Sequence, residues 1–296
     1  MRTAPVLQQE LDSLLPSRDL SRRGFVKTAV GSGFAAAVLP VTAQTIKTDS
    51  EGLTVGEVTI PVGDFKMPAY SARPAGKTGL PVILVVSEIF GVHEHIADIA
   101  RRFAKLGYLA IAPELFVRQG DAQSYGEIAK LVSEVIAKTP DAQVMGDLDA
   151  CVAYAKTTGK AETARLGITG FCWGGRITWL YSAHSAAVKA GVAWYGRMQG
   201  ATNPLQPAHP IDVVDRLQAP VLGLYGAADA GIPVASVDAM KAALAASNNP
   251  LAQKASFVVY PGAEHAFNAD YRPSYQREAA EDGWKRCLAW LKANGV

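Results

Sequence analysis

Only three of the 296 residues are cysteine, too few for the multi-bridge framework that holds small secreted domains together. Nor is there a run of basic residues. The 29 Lys and Arg face 27 Asp and Glu, and a formal charge of +2 gives no electrostatic footprint for a nucleic-acid partner. Long apolar stretches are missing as well: residues 29–39 are apolar but fall short of the roughly 20 residues that cross about 30 Å of hydrocarbon, so no stable membrane anchor is expected. Residues 50–296 contain no internal repeat, low-complexity tract or long linker. What is left, 49% hydrophobic and 19% charged with aperiodic Gly and Pro, has the composition of a packed globular domain rather than a disordered or collagen-like chain.

The N-terminus reads as an address. Ser21-Arg22-Arg23-Gly24-Phe25-Val26-Lys27 sets adjacent arginines before a bulky apolar residue and a lysine, a pattern that resembles the twin-arginine export signal. A mildly apolar Ala- and Gly-rich stretch follows, and Val41-Thr42-Ala43 offers small residues of the kind a signal peptidase reads. The expected organisation is a signal over residues 1–43 and a single domain over residues 44–296. The twin-arginine export machinery would carry that domain, already folded, to the periplasm or beyond. Residues 1–43 hold five of the basic and three of the acidic side chains, so the mature chain keeps 24 of each sign and is near neutral.

Along the mature chain, residues 53–60 alternate apolar and polar side chains, and residues 67–72 are the expected hairpin partner at a sheet edge. Short continuous apolar runs then recur at residues 81–86, 109–112, 166–169, 191–194, 221–225 and 257–260, as strands buried on both faces require. Helical patterns fall between them near residues 94–106, 141–156, 175–185, 236–246 and 275–293. Strand alternating with helix at this spacing predicts an α/β fold, with a mostly parallel central sheet and helices on both faces.

Gly170-Phe171-Cys172-Trp173-Gly174-Gly175 follows one of these strands and opens a helix, giving the pattern glycine, any residue, nucleophile, any residue, glycine. Glycines permit the tight strand-to-helix turn that lifts the middle side chain off the sheet. The helix N-terminus beneath it favours a thiolate and a developing oxyanion. A nucleophile of this kind needs a base and a group that orients the base. Asp229 follows the strand at 221–225, and His265 follows the strand at 257–260. Each alone is a common loop residue. In the order Cys172, Asp229, His265, each at a strand's C-terminal end, they match the order of the α/β-hydrolase fold.

Four segments give the sequence a more specific resemblance. They are Ser87-Glu88-Ile89-Phe90-Gly91-Val92 with His95, Ala112-Pro113-Glu114-Leu115-Phe116, the Cys172 turn, and Gly262 through Phe267. Together they resemble the dienelactone hydrolase family across roughly residues 53–293. The resemblance implies that Cys172 attacks a carbonyl carbon, that His265 serves as general base and then acid, and that Asp229 holds the imidazole. It also implies that Glu88 contacts the resting thiol and moves when substrate binds, and that the backbone N–H groups of Ile89 and Trp173 form an oxyanion hole. The family binds a substrate carboxylate with arginines, and Arg118 matches the first of them. The second is absent, because Ala269 occupies its position, with Arg272 three residues further on.

No metal and no organic cofactor are expected. His93 and His95 beside Glu94 read more simply as a hydrated helix start than as a metal site, which would need three or four ligands. Cys151 and Cys287 read as small core residues, and Trp194, Tyr195 and Tyr125 as either pocket wall or core. The expected function is hydrolysis of small carboxylic esters or lactones by a monomer. A thioesterase or cell-envelope acyl hydrolase on the same fold, and an exported binding protein without activity, are the alternatives. Comparing ester, lactone and thioester turnover, or recovering a bound ligand unchanged, separates them.

Overall fold

The computed structural model describes residues 45–296; the twin-arginine segment at residues 21–28 and the expected cleavage near Ala43 lie outside the described residues. Eight strands form one sheet: β1 (Leu53–Val62), β2 (Phe65–Pro74), β3 (Leu80–Val86), β4 (Leu109–Pro113), β5 (Ala161–Phe171), β6 (Val188–Trp194), β7 (Val221–Gly226) and β8 (Ser256–Tyr260). Their order is β1-β2-β4-β3-β5-β6-β7-β8. β1 and β2 form the expected hairpin, and β2 pairs antiparallel with β4. Every pair from β4 through β8 is parallel.

The helices are α1 (Glu94–Lys105), α2 (Ile128–Glu134), α3 (Asp141–Thr157), α4 (Trp173–His184), α5 (Val234–Ala246), α6 (Pro250–Gln253) and α7 (Arg277–Ala293). They cover both sheet faces, and the strand sequences show why. In β3, Ile83 and Val85 join one core cluster, which packs against α1, α5 and α7. Val82, Leu84 and Val86 join the other, which packs against α3 and α4. β4 divides in the same way, Ala110 and Ala112 against Leu109 and Ile111. Side chains alternate along a strand, so a strand covered on both faces reads as one unbroken apolar run.

All eight expected strands are present, and five expected helices appear within two residues of their expected bounds. The short helices α2 and α6 and three 3-10 turns were not expected. α2 and the turn at Ile136–Lys138 are brief, seven and three residues, so their helical period is too short to see.

The strand order reverses at β3. The chain leaves β3 for β4 on one side and returns with β5 on the other, so the segments after β3 and β5 diverge and open a crevice at the C-terminal ends of the strands. Val86 is in register with Gly170, which brings the Glu88 segment and the Cys172 turn to the same level. Among the described residues, no helix is long and apolar enough to cross a membrane.

Candidate active site

Cys172 has φ 54° and ψ −116°, a backbone conformation that side-chain-bearing residues rarely adopt. Such strain costs of order 1–3 kcal/mol and persists only where the surroundings enforce it. Here the enforcement is contact between backbones. A Cβ on Gly174 would run into the carbonyls of Val86 and Ser87, and a Cβ on Gly170 into the carbonyl of Gly174. The Cys172 N–H donates to the Trp194 carbonyl at 3.0 Å, tying the turn to β6. Its own carbonyl accepts from Gly175 at 2.9 Å, the first bond of α4. The thiol thus stands at the positive end of α4 and opens on a cavity of 360 Å³.

His265 lines the same cavity. The next residue, Ala266, has φ 62°, so the loop that presents the histidine is strained as well. Its Nδ1 lies 2.7 Å from Asp229 Oδ2. Asp229 Oδ1 meanwhile accepts the backbone N–H groups of Gly231 at 2.9 Å and Ile232 at 3.1 Å. A carboxylate held by two amides can only accept, so His265 Nδ1 carries the hydrogen and Nε2 is left for the cavity. Nε2 is buried, with no partner in hydrogen-bonding geometry. Burial works against the imidazolium, but the charge of Asp229, then that of Cys172, and the hydrogen bonding outweigh it and push the pKa of His265 up to about 10. The ring edge of Tyr195, 5.2 Å away between centroids, walls the histidine in, and the Tyr195 hydroxyl is buried without a hydrogen bond.

A second acid–histidine pair lies beside the first. Glu88, 2% exposed, places Oε2 3.1 Å from His93 Nε2, while its Oε1 is buried without a hydrogen bond. The bond that fixes Glu88 therefore runs to His93 and not to the Cys172 thiol. Burial favours the neutral acid, but the His93 bond and the nearby charges of His93, His95 and Arg272 prevail and bring the pKa down to about 2. His93 stacks on His95, with ring centroids 6.1 Å apart, and His95 faces Asp270 at 3.3 Å. These contacts bind the two histidines into a charge network. Among the described residues, no group of three or more His, Cys, Asp or Glu side chains is arranged to hold a metal ion.

Ile89 and Trp173 both line the cavity, on the segments after β3 and β5. Arg118 has a carboxylate partner of its own. Its two terminal amino groups bond the two oxygens of Asp147 at 2.7 and 2.8 Å, and its guanidinium lies 4.1 Å from the centre of the Phe65 ring. It is not among the residues that line the cavity. A buried carboxylate without its cation is costly, so Asp147 keeps Arg118 as its partner. Arg272 is buried beside Glu88 and 5.1 Å from the Phe90 ring centre.

Tyr195 is a cavity wall; Trp194 is core, stacked on Phe171; Tyr125 is outside the cavity lining. Cys151 and Cys287 are buried and free, and burial raises both thiols well above their ordinary pKa. Most of the lining residues were not anticipated, four with large polar side chains among them. Arg176 is in the first turn of α4, and Arg197, Gln206 and His209 lie on the connection that follows β6. The only sequence signal for Arg197 is its position just past a strand's C-terminal end.

The chain matches the dienelactone hydrolase family profile over residues 67–295. It is 61% identical over 288 residues to a protein of Methylorubrum extorquens provisionally named a carboxymethylenebutenolidase, covering 97% of this chain and 98% of that one. A protein of Escherichia coli with the same provisional name is 51% identical over 269 residues, covering 90% of this chain and 97% of that one. A solved structure from Klebsiella pneumoniae, provisionally named a dienelactone hydrolase, superposes with a TM-score of 0.78 at 54% identity, covering 81% of this chain and 98% of that one.

Proposed function

The chain belongs to the dienelactone hydrolase family and is a hydrolase of the carboxylic ester class, and from that premise we propose that it opens small carboxylic esters or lactones through an acyl-enzyme on Cys172. The observation that carries this reading is the strained Cys172 at the cavity, with the unpartnered Nε2 of a histidine oriented by Asp229 facing the same space.

In the first half of the reaction the thiol proton passes to His265 Nε2, and the sulfur attacks the substrate carbonyl carbon. A ring with a raised proton affinity is a good acceptor for that proton, and Asp229 keeps it in the useful tautomer. The tetrahedral oxyanion falls between the backbone N–H groups of Ile89 and Trp173 at the positive end of α4. As the C–O bond breaks, the proton on Nε2 goes to the leaving oxygen, which remains tethered when the substrate is a lactone. In the second half a water molecule gives its proton to Nε2 and attacks the thioester. The C–S bond breaks, the carboxylic acid leaves, and the thiol recovers its proton. Glu88 serves as a positioning residue that is moored by His93.

The test is steady-state turnover of an activated acetate ester, a lactone bearing a free carboxylate, the methyl ester of that lactone and a short thioester, with Cys172→Ala alongside. Turnover of an ester or lactone that disappears in the variant is expected. Full activity in Cys172→Ala would overturn the mechanism, and exclusive thioester turnover the substrate class. We also propose that residues 1–43 direct export by the twin-arginine route. Substituting Lys for both Arg22 and Arg23 then retains the protein in the cytoplasm, whereas unchanged periplasmic recovery rejects this.

A further inference from the structure

The segment that carries Glu88 and Ile89 is gripped at one residue. The Val92 N–H donates to Glu114 Oε1 at 3.0 Å, and the Val92 carbonyl accepts from Gln123 Nε2 at 3.3 Å. The other carboxyl oxygen of Glu114 lies over the backbone of Gly91: a Cβ there would sit 2.8 Å from Oε2, and Gly91 has φ 72°. Glycine suits a left-handed position beneath that oxygen because it carries no Cβ. Glu114 directly follows β4, and its own N–H donates to the Pro68 carbonyl of β2 at 2.9 Å, so the carboxyl is anchored to the sheet.

The grip reaches the site through a short, tightly folded stretch. The Gly91 N–H donates to the Glu88 carbonyl at 3.4 Å, and the His93 N–H to the Gly91 carbonyl at 3.1 Å. A shift at Val92 is therefore passed to Glu88 and to Ile89, which lines the cavity. Asp121 caps the turn that carries Gln123, accepting the Gln123 N–H at 3.0 Å. The charges that bear on Glu114 are those of Asp121 and of Glu57 in β1, both negative, while His93, next to Val92, is turned to Glu88. Burial outweighs the Val92 hydrogen bond, and with Asp121 and Glu57 adding to it the pKa of Glu114 rises to about 7. Like charges repel and a half-buried carboxylate is poorly hydrated, so ionisation of Glu114 works against the grip.

We propose that Glu114 is a positioning residue for the hydrolytic reaction, holding the Ile89 N–H and the Glu88 carboxylate in place through Val92. The neutral acid holds them most firmly, because the ionised form sets a third negative charge beside Asp121 and Glu57. Activity thereby depends on pH through a group outside the cavity lining. The segment is fixed most firmly below about 4.5 and loosens as pH rises through about 7. The inference rests on the reading of Cys172 as the nucleophile and of the Ile89 N–H as an oxyanion donor.

The experiment measures kcat/KM for 4-nitrophenyl acetate from about pH 5 to about pH 9 in wild type, Glu114→Gln and Asp121→Asn. Gln keeps the shape and the acceptor oxygen of the neutral acid but cannot ionise. The ratio of wild type to Glu114→Gln cancels the ionisations that the two proteins share. It is expected to be near one in acid, to fall about 3- to 30-fold as pH rises through about 7, and to level off above that. Asp121→Asn, which removes one repelling charge and leaves an oxygen to cap the turn, makes the fall smaller. A ratio displaced equally at every pH assigns Glu114 a structural role and overturns the proposal, as does a ratio of one throughout or one that rises with pH. Where Glu114→Gln does not fold, Asp121→Asn carries the test, and a pH profile identical to that of wild type overturns the proposal. If wild type cleaves no ester or lactone, the hydrolase reading falls and this inference with it. If turnover is lost in Cys172→Ala while the ratio stays level, only the inference falls.

Discussion

Two carboxylate–histidine pairs lie buried at the C-terminal ends of the strands, and they are wired in opposite ways. Asp229 takes Nδ1 of His265 and leaves Nε2 aimed into the cavity, while two backbone amides occupy its other oxygen. Glu88 takes Nε2 of His93, and the oxygen left without a hydrogen bond belongs to the acid. The first pair leaves a ring nitrogen at the cavity, whereas the second leaves a carboxylate oxygen. Identical functional groups therefore acquire different tasks according to which atom the partner leaves over.

Substitutions break this comparison in graded steps. The largest effect falls on the group the first pair serves: Cys172→Ala lowers kcat on any substrate by about 10⁴-fold or more, measured as ester turnover with the thiol loss verified by mass. Asp229→Asn keeps the shape but unsettles the tautomer of His265, and kcat falls by ~10²- to 10⁴-fold. A kcat within twofold of wild type would show that the histidine needs no orienting partner. Glu88→Gln, which removes charge and keeps shape, lowers kcat/KM by about 10- to 100-fold. His93→Phe follows it at roughly tenfold or less, with His93→Gln milder because a donor remains. If His93→Phe has no effect while Glu88→Gln does, the mooring of the glutamate is not functional.

The two pairs also come apart at opposite ends of the pH scale. The pKa of His265 is raised in the folded protein, so its stabilising contribution is complete below about 6.5 and is lost as pH rises through about 10. The pKa of Glu88 is lowered, so its contribution is present above about 4.5 and is lost as pH falls toward about 2. Thermal unfolding against pH should flatten on the alkaline side in Asp229→Asn and on the acid side in Glu88→Gln. A smaller effect belongs to Glu114, half-buried against the loop that carries both Glu88 and His93 and hydrogen-bonded by the Val92 N–H at 3.0 Å. Burial, with Asp121 and Glu57 adding to it against the Val92 bond, raises its pKa to about 7. Stability from this group is complete below about 4.5 and is lost as pH rises through about 7, so Glu114→Gln should remove that slope.

The sheet was legible because its strands are covered on both faces, which writes each as an unbroken apolar run such as Val82 to Val86. The triad order was legible because the α/β connection places each strand's exit at the same edge. The register that brings Val86 opposite Gly170 was not legible, nor was the mooring of Glu88 on His93. A histidine five residues from an acid reads as a loop until the chain folds back. Arg118 shows the same limit from the other side, since its matching position says nothing of an aspartate 29 residues away.

By itself the sequence determined the fold class, the strained turn that only glycine neighbours permit, and the identity of the residue at its tip. These rest on local chemistry: side-chain period, backbone freedom and residue order. The tertiary structure alone decided which arginines line the cavity and which nitrogen of His265 is left over by Asp229. Buried charges choose partners by distance in space, and Asp141 and Asp147, both remote in sequence from the arginines they bind, set that choice.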